Sequence, residues 1–97
     1  MSEEILAIAI FEPVKGREKQ CLAVTHELFD FLRRKGYGRD LLYRDAKNSR
    51  VYLNFRYWTS EKAARRAHQD PELHAFWGRL AKVSKIKKIY ERLEGVA

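Results

Sequence analysis

The hydrophobic pattern divides the chain into four strand-like stretches and two helical ones. Residues 5–14 open with seven apolar side chains and stop at Pro13, which is typical of a strand buried on both faces. From Arg17 to Lys35 the apolar residues recur at helical spacing, and Gly36 follows as a glycine does after a helix. These two stretches predict a first strand and a long amphipathic helix.

Two further strand-like stretches, residues 38–45 and 50–58, are joined by a short run of turn formers, which predicts a hairpin. The second stretch alternates between two faces. One face carries Arg50, Tyr52, Asn54, Arg56 and Trp58, and the other carries Val51, Leu53, Phe55 and Tyr57. We expect the mixed aromatic and polar face to be the one that the helices leave uncovered, as an interface or binding surface.

The remainder of the chain predicts a broken helix and a last strand. Ser60 is a helix cap, an alanine-rich segment follows it, and Asp70-Pro71 breaks and restarts the helix. The apolar residues expected to face the core in the restarted segment are Leu73, Phe76, Trp77, Leu80 and Val83. Residues 85–93 are lysine-rich and suit an edge strand. The order β-α-β-β-α-β predicts an α+β, ferredoxin-like sandwich, with residues 1–97 forming one domain.

Charge and cysteine content restrict the partners that the chain can have. The formal net charge is +7, but several of its cations fall where helices end, so that complementing a helix dipole is the favoured interpretation and an anionic partner is the alternative. The single cysteine, Cys21, makes no internal disulfide, and no metal-ligand spacing is present. The longest apolar run, residues 5–11, is too short to span a membrane. A cytoplasmic location without membrane association is the simplest expectation.

Six side chains are candidates for binding a substrate: Tyr43, Asn54, Arg56, Trp58, His74 and Trp77. Tryptophans line cavities but also fill cores. Polar groups on a covered strand need partners, which can be carboxylates or an anionic ligand. Strand tyrosines can donate to a substrate oxygen, although packing also explains them. The spacing of the residues therefore identifies pocket candidates without assigning a catalytic residue.

The histidines have a structural role as their favoured interpretation. His68 and His74 are six residues apart across the Asp-Pro restart, and as a base or ligand pair they would have to converge. His26 belongs to the first helix, at the sheet or its rim. The sequence contains no Ser-His-Asp order, glycine-rich phosphate loop or carboxylate pair that stands out.

Several segments, taken together, resemble the antibiotic biosynthesis monooxygenase domain family of the dimeric α/β-barrel superfamily. They are residues 13–18, 42–45, 51–63 and 70–76. The most specific fragment is a strand ending at Trp58, followed by Thr-Ser-Glu, an alanine-rich helix and the Asp-Pro restart. The resemblance covers nearly the whole chain, and the order and spacing of the fragments make it specific.

The resemblance implies a homodimer in which two sheets face each other in a barrel, with the helices outside. Enzymes of this family oxidise aromatic polyketide or quinol-like substrates with dioxygen, without flavin or metal, so that no cofactor is expected. The family also includes members without known activity, because a fold does not by itself determine function. One branch degrades haem, but its asparagine, tryptophan and histidine positions fall here on Ala9, Ala67 and Trp77, so haem degradation is not expected.

Two other functions remain open. One is a non-catalytic dimer that binds a small ligand or acts as a scaffold. The other is RNA binding, because RRM domains share the β-α-β-β-α-β order and this chain is basic. Those domains stack bases on aromatic side chains of both central strands, whereas the first strand here has no aromatic residue before Phe11. Nucleic acid is therefore the least favoured partner.

Overall fold

The computed structural model describes residues 4–97, which form one antiparallel sheet and three helices. The elements are β1 (Ile5–Pro13), α1 (Glu18–Arg34), β2 (Gly38–Arg44), β3 (Tyr52–Trp58), α2 (Glu61–His68), α3 (Pro71–Ala81) and β4 (Ser84–Leu93). This order confirms the predicted ferredoxin-like α+β fold. The second helical region consists of two helices, α2 and α3, separated at the predicted break.

The sheet has the strand order β2-β3-β1-β4. The first strand is therefore central, and the lysine-rich β4 lies at an edge, as its composition predicts. The hairpin of β2 and β3 is also present, with Gly38 paired to Trp58 at one end and Arg44 paired to Tyr52 at the other.

Local interactions explain where the helices begin and end. The Ser60 Oγ accepts a hydrogen bond from the Ala63 N–H at 3.1 Å, which caps α2. The Asp70 Oδ1 accepts one from the Glu72 N–H at 2.9 Å, and Pro71 occupies the first position of α3. Gly36 has a φ of 73°, which lets the chain leave α1 in a left-handed conformation. These boundaries agree with the sequence.

The structure corrects the predicted orientation of β3. The helices cover the face that carries Tyr52, Asn54, Arg56 and Trp58, which we name the inner face. Tyr52 is 5% exposed and Trp58 is 4% exposed, and both belong to hydrophobic clusters that include helical residues. The expectation that this face is uncovered is therefore wrong. Alternation identifies two faces, but it does not say which one the helices cover.

The other side of the sheet, which we name the open face, is largely apolar, and its charged residues include Arg39 and Lys88. The strand register places on it Leu6, Ile8 and Ile10 of β1, Leu41 and Tyr43 of β2, and Leu53, Phe55 and Tyr57 of β3. Leu41 and Tyr43 are 42% and 54% exposed in the single chain. The helices thus cover β1 on one of its two faces only.

The core consists of two clusters between the helices and the inner face. The first contains Leu28, Phe31, Leu32, Trp58, Ala67 and Leu73, and the second contains Phe11, Cys21, Tyr52 and Val83. Trp77 was expected to face the core, but it is 37% exposed. Between residues 4 and 97, no helix combines the length and the apolar character needed to cross a bilayer.

Candidate functional site

A cavity of about 890 Å³ lies between the inner face of the sheet and the helices. Its walls come from β1, β3 and β4 and from all three helices. It exists because β1 carries only Ala7 and Ala9 opposite the long inner-face side chains Arg56 and Asn54. Small side chains at these positions leave space that a leucine or phenylalanine would fill.

A polar network forms one side of this cavity. The Arg56 Nε donates a hydrogen bond to the Asp40 Oδ1 at 2.6 Å, and the Arg56 Nη2 donates one to the Asn54 Oδ1 at 3.1 Å. The Asn54 Nδ2 donates to the same Asp40 oxygen, also at 3.1 Å. The Asp40 side chain has no exposed surface, and that of Arg56 is 12% exposed. The network explains how these three polar residues can occupy the covered face, since each makes a hydrogen bond within it, although the buried Asp40 Oδ2 accepts none from residues 4–97.

Two tryptophans and a histidine form an aromatic part of the cavity wall. The His68 ring lies 5.3 Å from the Trp58 ring and 5.5 Å from the Trp77 ring, between centroids. The His68 Nδ1 lies 2.6 Å from the Ala64 carbonyl oxygen. The guanidinium of Arg56 is 5.3 Å from the centroid of Trp58, within range of a cation–π interaction. The wall therefore combines large apolar rings with a cation and an imidazole.

Charged side chains from α2 and β4 meet at an outer part of the cavity wall. The Glu61 Oε1 lies 3.7 Å from the Arg65 Nη1 and 3.6 Å from the Arg92 Nη1. All three side chains are more than half exposed, so that these ion pairs contribute little to stability. Their position lets them influence the approach of a charged ligand.

The structure brings together four of the six candidate side chains. Asn54, Arg56, Trp58 and Trp77 all line the cavity. Tyr43 lies on the open face, where its ring packs against Phe55 at 5.5 Å. Tyr43 is therefore separated from the cavity by the sheet, and its predicted contact with a substrate in this cavity is not supported.

His74 lies beside the cavity wall and does not line it. Its ring stacks on Trp77 at 5.7 Å, and its Nε2 lies 2.5 Å from the His68 carbonyl oxygen. The rings of His68 and His74 therefore both contact Trp77, and the His74 ring also contacts the His68 backbone. This placement does not support direct binding of a substrate by His74. It supports a role of His74 in holding Trp77 and α2 in position.

His68 is the cavity residue that sequence reasoning set aside as structural. A usable signal was present, because His68 follows Ala64 by four residues and thus shares its helix face. The small alanine side chains of this segment allow that face to pack close to the sheet, and Ala64 does pack against the first core cluster. His26, in contrast, is exposed and lines a separate pocket of about 220 Å³ that also includes Asp40.

Neither a metal site nor a reactive thiol is found in the part of the chain that the structure describes. Residues 4–97 contain no group of three or more His, Cys, Asp or Glu side chains that could hold a metal ion. Cys21 is buried outside the cavity, and burial raises the pKa of its thiol. The thiol is therefore held in its unreactive, protonated form.

Solved structures share this fold over nearly the whole chain. SnoaB, a cofactor-independent oxygenase from Streptomyces nogalater, matches with a TM-score of 0.79 and 21% sequence identity, over 98% of each chain. A protein from Nitrosomonas europaea with the provisional name antibiotic biosynthesis monooxygenase matches with a TM-score of 0.74 and 12% identity, over 100% of this chain and 97% of that one.

A third similar structure, from Chloroflexus aurantiacus J-10-fl, carries the same provisional name. It matches with a TM-score of 0.75 and 10% identity, over 97% of this chain and 95% of that one. No protein-family model matches the chain, and the curated proteins contain no significant sequence match. The similarity is thus one of structure. The chain has the fold of SnoaB and of proteins named as antibiotic biosynthesis monooxygenases, which confirms the resemblance drawn from its sequence.

Proposed function

We propose that this chain is a cofactor-independent monooxygenase of the antibiotic biosynthesis type, acting on a small aromatic or quinol-like substrate. The observation that carries the proposal is the cavity of about 890 Å³, which is walled by Trp58 and Trp77 and contains the guanidinium of Arg56. Pockets for small molecules are typically apolar, with a few polar groups that orient the ligand. This cavity has that character and is large enough for a substrate with several fused rings.

The substrate itself would supply the electrons in this reaction. An anthrone or quinol becomes a good electron donor to dioxygen once it has lost a proton. For an anthrone, one oxygen atom of O2 becomes the new ring carbonyl. The other leaves as water with the two hydrogens of the oxidised methylene group, so that atoms and electrons balance. The protein's contribution is to bind the substrate anion and to exclude water.

Arg56 is the group that would stabilise such an anion, because the Asn54 Nδ2 already donates to the Asp40 carboxylate and to the Leu41 carbonyl oxygen. Arg56 has five N–H donors in a planar fork, of which the network on the inner face uses the Nε and one Nη2 hydrogen. Asp40 and Asn54 hold that fork in position before a substrate arrives. A donor fixed in advance costs no reorganisation when charge develops on the substrate.

The proposal includes a homodimer formed through the open face. A domain of 97 residues buries a limited share of its own surface, and here the open face of its sheet is largely apolar. A second copy would cover that side and bury the second face of β1, as the sequence of β1 predicts. We also retain the cytoplasm as the proposed location, because the one cysteine has no partner for a disulfide.

Oxygen uptake with a panel of anthrones and hydroquinones tests the proposed function. The expected result is consumption above the uncatalysed background, and its loss in Ala9→Phe, which places a ring inside the cavity. Ala23→Phe is the matched control, because Ala23 is exposed on α1. A ligand that stabilises the protein without being consumed would instead identify a binding protein. Uptake that is equal in the wild type and in Ala9→Phe would place the reaction elsewhere.

A further inference from the structure

The hydrogen bonds of His68 determine which of its nitrogens is available for chemistry. The Nδ1 lies 2.6 Å from the Ala64 carbonyl oxygen, one helical turn earlier. A carbonyl oxygen only accepts hydrogen bonds, so the Nδ1 must carry the proton. In the neutral ring the lone pair is then on the Nε2, which makes no hydrogen bond within residues 4–97. A base is thereby set up on a residue that lines the cavity.

Its neighbours hold the His68 ring in place. Trp58 and Trp77 both contact the ring, and the His74 Nε2 donates a hydrogen bond to the His68 backbone carbonyl. The ring is thus fixed from α2, α3 and β3 together. Such fixation is what a general base needs, because proton transfer requires a defined position relative to the substrate.

Arg56 provides the complementary charge in the same region of the cavity. Its guanidinium and the His68 ring each lie 5.3 Å from the Trp58 ring. The Arg56 Nη1 makes no hydrogen bond within residues 4–97, and the residue lines the cavity. An aromatic molecule in the cavity can therefore meet a base and an unused N–H donor of Arg56.

The other charged side chains that line the cavity do not form an ion pair with His68 or Arg56 within residues 4–97. Glu61 and Arg65 come from the same helix as His68, and Glu91 and Arg92 come from β4. Glu61 is paired with both arginines. On α3, the histidine nearest to His68 is His74, and its contact is with the backbone carbonyl. The carboxylates of Glu61 and Glu91 are the other potential bases, which the test below separates from His68.

We propose that His68 is the general base of this site and that its substrates are aromatic compounds with an ionisable hydroxyl group. The inference rests on the proposed function and assigns its first step. The Nε2 lone pair takes the hydroxyl proton, the O–H bond breaks, and its electron pair stays on the oxygen and spreads over the ring. The imidazole becomes an imidazolium, and the unused N–H donors of Arg56 bind the oxygen that carries the charge. No oxidant takes part in this step.

Binding of 4-nitrophenol tests the proton transfer without any turnover. This phenol ionises near neutral pH, and its phenolate absorbs visible light. When the wild type binds this phenol in weakly buffered solution near pH 7, the phenolate band should increase, with almost no proton released to solvent per additional phenolate. In His68→Gln each phenolate formed should release about one proton. In Arg56→Gln the band should decrease strongly, because the anion loses its cationic partner.

Two further variants make the result decisive. His26→Gln should behave as the wild type, because His26 lies outside the cavity. His68→Asn serves as a second variant if His68→Gln does not fold. Each of three results would overturn the inference. The wild type could release one proton per additional phenolate, or its phenolate band could fail to increase on binding. His68→Gln could form phenolate without releasing a proton. In the last of these cases, a carboxylate would be the acceptor of the phenol proton.

Kinetics connect this step with turnover and keep the two proposals apart. With an oxidisable hydroquinone, His68→Gln should lower kcat/KM by about 10²–10⁴-fold and remove the rise of activity with pH that a histidine base produces. If nitrophenol ionises as expected but no substrate consumes oxygen, the proposed function fails while the base assignment stands. If oxygen uptake is normal in His68→Gln, the base assignment fails while the proposed function stands.

Discussion

Burial alone predicts apolar side chains on the covered face of a sheet and polar side chains on its uncovered face, and β3 shows the reverse. On β3, the face covered by the helices carries Asn54 and Arg56, while the face without helices carries Leu53 and Phe55. The inner polar groups are paired with each other and with Asp40, and they border a cavity. On the open face, Tyr43 packs against Phe55, but Tyr43 and Leu41 remain 54% and 42% exposed. This difference is the basis of the two proposals, a chemical role for the inner face and an assembly role for the open one.

The comparison shows that a polar side chain on a covered face can mark a functional site. A core needs only apolar packing, and an ion pair inside it is often no more stabilising than apolar residues of similar volume. The network of Arg56, Asn54 and Asp40 therefore calls for a reason other than stability. The adjoining cavity provides one, because the network fixes a cationic donor for a ligand.

The largest expected effect is that of breaking the ion pair on the inner face. Arg56→Met should lower the free energy of unfolding by about 3–5 kcal/mol, because it leaves the fully covered Asp40 carboxylate without its cation. Arg39→Met is the matched control on the open side of β2, where the Arg39 Nε–Glu4 Oε2 pair of 2.9 Å is partly exposed. Its cost should be clearly smaller, because solvent-exposed ion pairs contribute little to stability. Urea denaturation at pH 7 measures both, and equal losses would contradict the distinction between the faces.

An intermediate effect is expected for a charge placed on the open face. Tyr43 is 54% exposed in the single chain, so Tyr43→Glu should leave the fold of one chain intact. In a two-fold dimer the same change would place two like charges in one interface. This should raise the dimer Kd by at least about a hundredfold, at a cost of several kcal/mol.

Light scattering over a range of concentrations measures this change. The wild type should have the mass of two chains, Tyr43→Phe should retain it, and Tyr43→Glu should approach the mass of one chain. A wild type with the mass of one chain at all concentrations would contradict the proposed dimer. The open face would then be a surface for a different partner.

The smallest expected effect concerns a tyrosine of the inner face and its dependence on pH. The Tyr52 hydroxyl donates a hydrogen bond to the Glu18 Oε2 at 2.7 Å, and this bond raises the pKa of Tyr52 above its ordinary value of 10.0. Tyr52→Phe should cost about 1 kcal/mol of stability at neutral pH. Because the pKa is raised in the folded state, this contribution is complete below pH 10 and is lost as the pH rises through the folded pKa.

Denaturation curves of the wild type and Tyr52→Phe between neutral pH and about pH 11 measure this loss. Tyr43→Phe is the control on the open face, and its effect should stay within about 0.5 kcal/mol at every pH. A stability difference for Tyr52→Phe that is constant across this range would show that packing, and not the hydrogen bond, explains the effect.

Much of the fold could be predicted because the signals are local. The cap at Ser60, the restart at Asp70-Pro71 and the glycine after α1 each act within a few residues, and all three are present in the structure. The candidate site was predicted only in part. Asn54, Arg56, Trp58 and Trp77 meet at the cavity, whereas Tyr43 is on the other side of the sheet.

The sequence by itself determined the order of the elements, the edge position of β4 and the division of β3 into two faces. Only the tertiary structure decided which of these faces the helices cover. That choice depends on contacts between distant parts of the chain, such as Trp58 with Leu28 and Leu73, and Arg56 with Asp40. It also decided that His68 belongs to the cavity. Two alternating faces are equivalent by periodicity, and they become different only when long-range packing and the pairing of buried charges select one of them.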